Sequence, residues 1–327
     1  MSARSIASLG VLAGIAIALA PVPAAGQPAH ARPDLQGVWI SNSATPLERP
    51  KALEGRASLT DQEIADLKRR ANRIFNETNS DYAGGDALFL SALADLDRYK
   101  NPAGNSTAGS VEMVPRDFDN RTSLIVDPPD GRVPPLTPDA AKRAGAFATS
   151  RVRFDPADPE DVSFDRRCLT FGTPRLGGNY GAGPFSYYQI VQTPDYVVLI
   201  TEFIHEARII PLEGRPHLPP SMTRWNGDSR GRWEGKTLVV DTTNFSPKSH
   251  FMGSADGLHL VERFTRTDRD TIAYEITLAD PTTWTTPWSA VIRLKRTGDK
   301  MYEVACHEGN YYTMQGVLAG ARSAEQK

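Results

Sequence analysis

From residue 187 onward, short runs of alternating apolar and polar residues follow one another closely, with turn residues in the gaps. Side chains on a strand alternate between two faces, so each run reads as a half-buried strand. The runs span 187–193, 196–204, 208–212, 237–244, 258–267, 271–279, 288–295 and 302–306. Pro194-Asp195, Glu234-Gly235 and 268–270 supply turn signals between them. Links this short favour antiparallel neighbours in a meander. A sheet of so many strands removes its exposed edges by closing on itself. The expected fold is mainly β: an antiparallel up-and-down barrel.

The upstream residues add a first strand and a helical region. Pro33-Asp34-Leu35-Gln36-Gly37-Val38-Trp39 reads as the first strand. Gly37-x-Trp39 matches the G-x-W signature that opens lipocalin barrels, so a lipocalin-like barrel is expected. Thr60 and Glu63 are spaced for a capping box, and Ile64, Leu67, Ala71, Ile74 and Phe75 recur at helical spacing. A second helix is predicted over 86–99, with Leu88, Leu90, Leu93, Ala94 and Leu96 as its apolar positions. Together these make a helical insertion over residues 58–100, after the first strand. A strand is predicted over 120–127 and a short helix near Thr137-Pro138-Asp139. The Gly-rich stretch 172–183 precedes a strand rather than a helix, so it reads as a rim loop and not a phosphate cradle.

Residues 1–31 read as an export signal. Arg4 precedes an apolar run over 6–20, and small-residue cleavage patterns follow at Ala24-Ala25-Gly26 and Ala29-His30-Ala31. The run is short for a membrane span. The mature protein, residues 32–327, is expected as one domain in the periplasm or outside the cell. The full chain's formal charge of −2 is dispersed, which gives no electrostatic footprint for nucleic acid or anionic lipid. Cys168 and Cys306 are the two cysteines. In an oxidising compartment an even count predicts a disulfide, and one closing so long a loop is assigned about 4–5 kcal/mol by chain entropy.

The candidate site residues come from polar blocks set among the strands. On the run 196–204, Glu202 shares a face with Tyr196, Val198 and Ile200. On 258–267, Glu262 shares a face with Leu258, Leu260 and Phe264. A carboxylate on an apolar face suits a general acid or base, or a structural pair with Arg208, Arg263 or Arg266. His205 and His307, each beside a glutamate, complete the catalytic candidates. Arg208, His217, Trp225, Asp241, Asn244, Glu308, Asn310 and Tyr311 are the substrate-binding candidates. The histidines lack a local metal-ligand spacing, so a metal held by His205, His217 and His307 needs convergence in space. No organic cofactor motif is present. Gly227-Asp228-Ser229-Arg230-Gly231 fits G-x-S-x-G, but a strand rather than a helix follows it, so Ser229 is not expected to be a nucleophile.

The blocks Arg121–Gly131, Gly214–His217, Gly227–Phe245 and Ala305–Tyr311 together resemble a widespread family of exported bacterial proteins. The resemblance covers nearly the whole mature chain. It implies export and a lipocalin-like barrel, and it carries no catalytic residues. The function expected is a cofactor-independent lyase, isomerase or hydrolase acting on a small, partly apolar molecule, flat aromatic ones included. A non-catalytic periplasmic carrier of a small hydrophobic ligand is the alternative.

Overall fold

Two hairpin meanders and one early strand build the barrel. The computed structural model describes residues 32–75, 85–100, 116–144, 162, 164, 167–175, 187–202, 204–212, 214–249, 251–303 and 305–325. The expected signal segment 1–31 lies outside them. Strands β3 (Tyr187–Gln192), β4 (Tyr196–Thr201) and β5 (Ala207–Pro211) form one antiparallel meander. Strands β6 (Asp228–Glu234), β7 (Thr237–Thr243), β8 (His259–Asp268), β9 (Thr271–Ala279) and β10 (Trp288–Arg296) form the other. Strand β1 (Gly37–Ile40) lies between β3 and β10 and joins the two, giving the order β5-β4-β3-β1-β10-β9-β8-β7-β6. The short β2 (Ile125–Asp127) pairs with β10 off this path.

The barrel is nearly closed, and its seam falls between β5 and β6, the two ends of that order. A Cβ on Gly231 of β6 would lie 2.7 Å from Leu212 Cδ2 and 2.9 Å from Ile210 Cγ2, so the ends meet through side chains. The inner faces alternate along the strands; on β8 the inward face is the expected one, whereas on β4 it is the face opposite Tyr196, Val198 and Ile200. Val197 and Leu199 on β4, Leu260 and Phe264 on β8, Ile272 and Ile276 on β9 and Ala290 and Ile292 on β10 belong to one core cluster. Trp39 of β1 is fully buried in it; its indole N–H donates to Leu35 O at 2.9 Å and Arg296 covers its ring at 4.5 Å.

The helical insertion has its own core. Helix α1 (Asp61–Ile74) starts at a complete capping box between Thr60 and Glu63. Its Ile64, Leu67 and Ala71 cluster with Leu88, Phe89 and Ala92 around helix α2 (Ala87–Leu93). Helix α2 stops well short of the predicted residue 99, and Asp95 takes the left-handed φ of +53° just beyond it. The strand predicted over 120–127 is reduced to the three residues of β2. A helical segment does occupy 138–144.

Two elements differ in kind from the sequence reading. The run 302–306 is not a last strand: helix α3 (Cys306–Glu325) begins there. Five alternating residues carry little weight against Met314, Val317 and Leu318, whose helical spacing continues the element. Conversely, β6 occupies a stretch read as loop. Its polar sequence hides the alternation, but it pairs with β7 along its whole length, and Gly235 (φ +59°) opens the two-residue link. Ser229 therefore lies on a strand, buried, 3.0 Å from Thr242 Oγ1, with no elbow around it. The disulfide forms between Cys168 and Cys306, tying the chain ahead of β3 to the first turn of α3.

Candidate active site

A half-open cavity of about 40 Å³ lies at one end of the barrel interior. That is room for a few waters. Arg208 from β5, Glu262 from β8, Tyr274 from β9 and Tyr188 from β3 line it, with Glu206, Asn226 and the segment Gly172–Arg175 forming its mouth. The alternation rule explains the inward set. Leu260, Glu262 and Phe264 share one face of β8, and Glu262 is 1% exposed. Closure of the sheet then places Arg208, near the seam, opposite β8.

The polar groups inside are closely coupled. Arg208 Nη2 donates to Glu262 Oε2 at 2.6 Å, and the Tyr274 hydroxyl donates to Glu262 Oε1 at 2.5 Å. Burial, then the Glu262 charge, push the Tyr274 phenol well above its ordinary range, so it keeps its proton. Phe264 stacks on the Tyr274 ring at 4.4 Å and fixes its plane. At the mouth, Glu206 accepts from the Thr170 hydroxyl at 2.7 Å and from Asn226 Nδ2, and Arg175 lies 3.8 Å from it. The Tyr188 hydroxyl donates to Arg175 O at 3.2 Å. Just below the mouth, Ile204 and His205 both have positive φ, +62° and +41°. A β-branched residue there is strained, by about 1–2 kcal/mol.

Of the four catalytic candidates, Glu262 alone lines the cavity. Glu202 follows β4 on the set of positions alternate to Leu199 and Thr201. It is buried, which raises its pKa, and it accepts the Tyr302 N–H at 2.7 Å, an anchor for the chain entering α3. His205 is about half exposed in the β4–β5 turn, 3.6 Å from Glu303. His307 is exposed on α3 rather than on a strand, as are Glu308 and Tyr311, with Asn310 half-buried. The expected convergence of Glu202, His205 and His307 across a last strand therefore does not form, because that strand is a helix.

Among the binding candidates, Arg208 reaches the cavity and the others fall elsewhere. His217 lies in the loop after β5, with Nδ1 3.1 Å from Asp228 Oδ2 and Nε2 2.9 Å from Asp241 Oδ1. Asp241 also meets His259 Nε2 at 2.9 Å, which lowers the Asp241 pKa and raises that of His259. Arg230 pairs with Asp228 at 2.9 Å. Asn244 donates to Leu218 O and Pro219 O and so holds the same loop. This network clamps the Gly214–Pro220 block onto β6 and β7. Trp225 is 40% exposed and packs against Phe164. His205 and His217 have separate partners, His307 is exposed on α3, and among the described residues no group of three His, Cys, Asp or Glu is arranged to hold a metal ion.

Tyr274, Glu206, Asn226 and Arg175 were not among the sequence candidates. Tyr274 carried a usable signal, since it shares the inner face of its run with Ile272 and Ile276. Arg175 and Asn226 lie in irregular segments where no periodicity points inward. No family model, curated protein or solved structure matches the chain.

Proposed function

We propose that the protein is an acid–base enzyme acting on a small polar molecule in this cavity, without an organic cofactor. One observation carries the reading: Glu262, almost fully buried inside the barrel, is bracketed by the Tyr274 hydroxyl and the Arg208 guanidinium at the cavity wall. A proton leaving the substrate passes to the Tyr274 oxygen while the Tyr274 proton passes to Glu262 Oε1. One O–H bond forms for each bond to hydrogen that breaks, and Glu262 ends as the neutral acid. Arg208 then stabilises the negative charge left on the substrate. The raised phenol pKa favours this concerted relay over a free phenolate. A cavity this small speaks against the carrier alternative, which needs a larger apolar cup.

Glu262→Gln and Tyr274→Phe are each expected to lower turnover by about 10²-fold or more. Consumption of candidate small molecules followed by NMR, with circular dichroism as the fold check, measures it. Full turnover in both folded variants would remove the reading. We further propose that the protein is exported. The N-terminal signal pattern and the disulfide support this, and no described helix is long and apolar enough to cross a membrane. N-terminal sequencing of periplasmic protein should find Gln27 or Arg32 first; an intact Met1 would contradict it.

A further inference from the structure

We propose that the ligand of this cavity is a small monocarboxylic acid whose carboxylate docks on the open edge of Arg208; the inference rests on the cavity being the reacting site. The Arg208 side chain is 13% exposed, and its bond to Glu262 is its one hydrogen bond among the described residues. Nη2 carries two N–H groups and Glu262 Oε2 takes one. A parallel pair of N–H groups therefore remains, whichever hydrogen Glu262 uses. None of the Arg208 nitrogens belongs to the described atoms sealed in the interior without a partner, and Arg208 lines the cavity. A mostly buried guanidinium with a free fork is matched in shape and charge by a carboxylate.

The charges around it set the ligand's own charge. Arg175 and Arg208 face Glu206 and Glu262, a balanced set. A monoanion bound at Arg208 adds one negative charge, whereas a phosphate dianion would press two against the carboxylates. Tyr274 takes up part of the Glu262 charge through its hydrogen bond, which leaves Arg208 less neutralised than a simple ion pair would. Tyr188, Leu199, Phe264 and Tyr274 supply apolar and aromatic walls for the body of the acid. The volume of about 40 Å³ admits the carboxylate and the adjoining carbons, with the remainder projecting through the mouth.

The test uses propionate and benzoate against propionamide, benzamide and inorganic phosphate. Calorimetric titration and the thermal midpoint are measured on the full mature chain. The acids should bind and raise the midpoint, while the amides and phosphate bind at least tenfold more weakly. Arg208→Lys keeps a cation beside Glu262 but loses the fork, and should weaken the acids at least tenfold. Amides binding as well as acids would overturn the carboxylate assignment, as would phosphate matching benzoate or folded Arg208→Lys binding acids like the parent. Should Arg208→Lys fail to fold, the acid–amide comparison on the parent protein decides alone. Loss of turnover in Glu262→Gln with no preference for acids would sink this inference and spare the proposed function. Unchanged turnover in that variant would sink the function itself.

Discussion

Glu202 and Glu262 look alike in the sequence, each a lone carboxylate on an alternating apolar run, yet they do different work. Glu262 falls inside the barrel and acquires Arg208 and Tyr274. Glu202 falls past the strand end and ties down one backbone amide. Asp86 is a partly buried carboxylate away from the cavity. Burial raises its pKa from 3.8 to about 6, against the Leu47 N–H bond and the charge of Arg116, which lower it. Its folded pKa exceeds its unfolded one, so the folded state binds more protons between those values. Stability from this group is present below pH 3.8, falls as pH rises to about 6, and stays reduced above. Asp86→Asn should thus stabilise the protein by about 1–3 kcal/mol at pH 8 and by little at pH 4. Urea midpoints at the two pH values check it; an equal effect at both would show that the charge is not the cause.

Among the elements, the sequence signals that succeeded were local ones. The capping box at Thr60 and Glu63 starts α1 as spaced, because both partners lie within one turn. The long alternating runs became β3, β4 and β7 through β10, because period two can satisfy only one burial pattern. Strand β6 was illegible for the opposite reason. Its Asp228, Arg230 and Arg232 are polar, and pairing with β7 makes it a strand. The start of helix α3 was misread because the residues just ahead of it alternate while its apolar spacing lies further along. The Cys168–Cys306 bridge then fixes that helix start to the segment whose Thr170 and Arg175 shape the cavity mouth.

For the whole molecule, closure decides the site. Arg208 and Glu262 are 54 residues apart and meet because the sheet curls until β5 reaches β6. The seam at Gly231 leaves no space for a side chain. Gly231→Val should push Leu212 and Ile210 away and destabilise the protein by about 1–3 kcal/mol. Chemical unfolding measures this, and an unchanged midpoint would mean that the seam is looser than its contacts indicate. What the sequence determined by itself was the class of fold, the helical insertion, the disulfide pair and the inward face of β8, each readable from spacing or count. Tertiary structure alone decided that β1 lies between β3 and β10, that Arg208 faces Glu262 across the interior, and that the His217 block clamps an outer wall rather than a site. Spacing along a chain specifies which side chains share a face. Which faces oppose one another depends on strand order and closure, and those depend on contacts between residues far apart in the sequence.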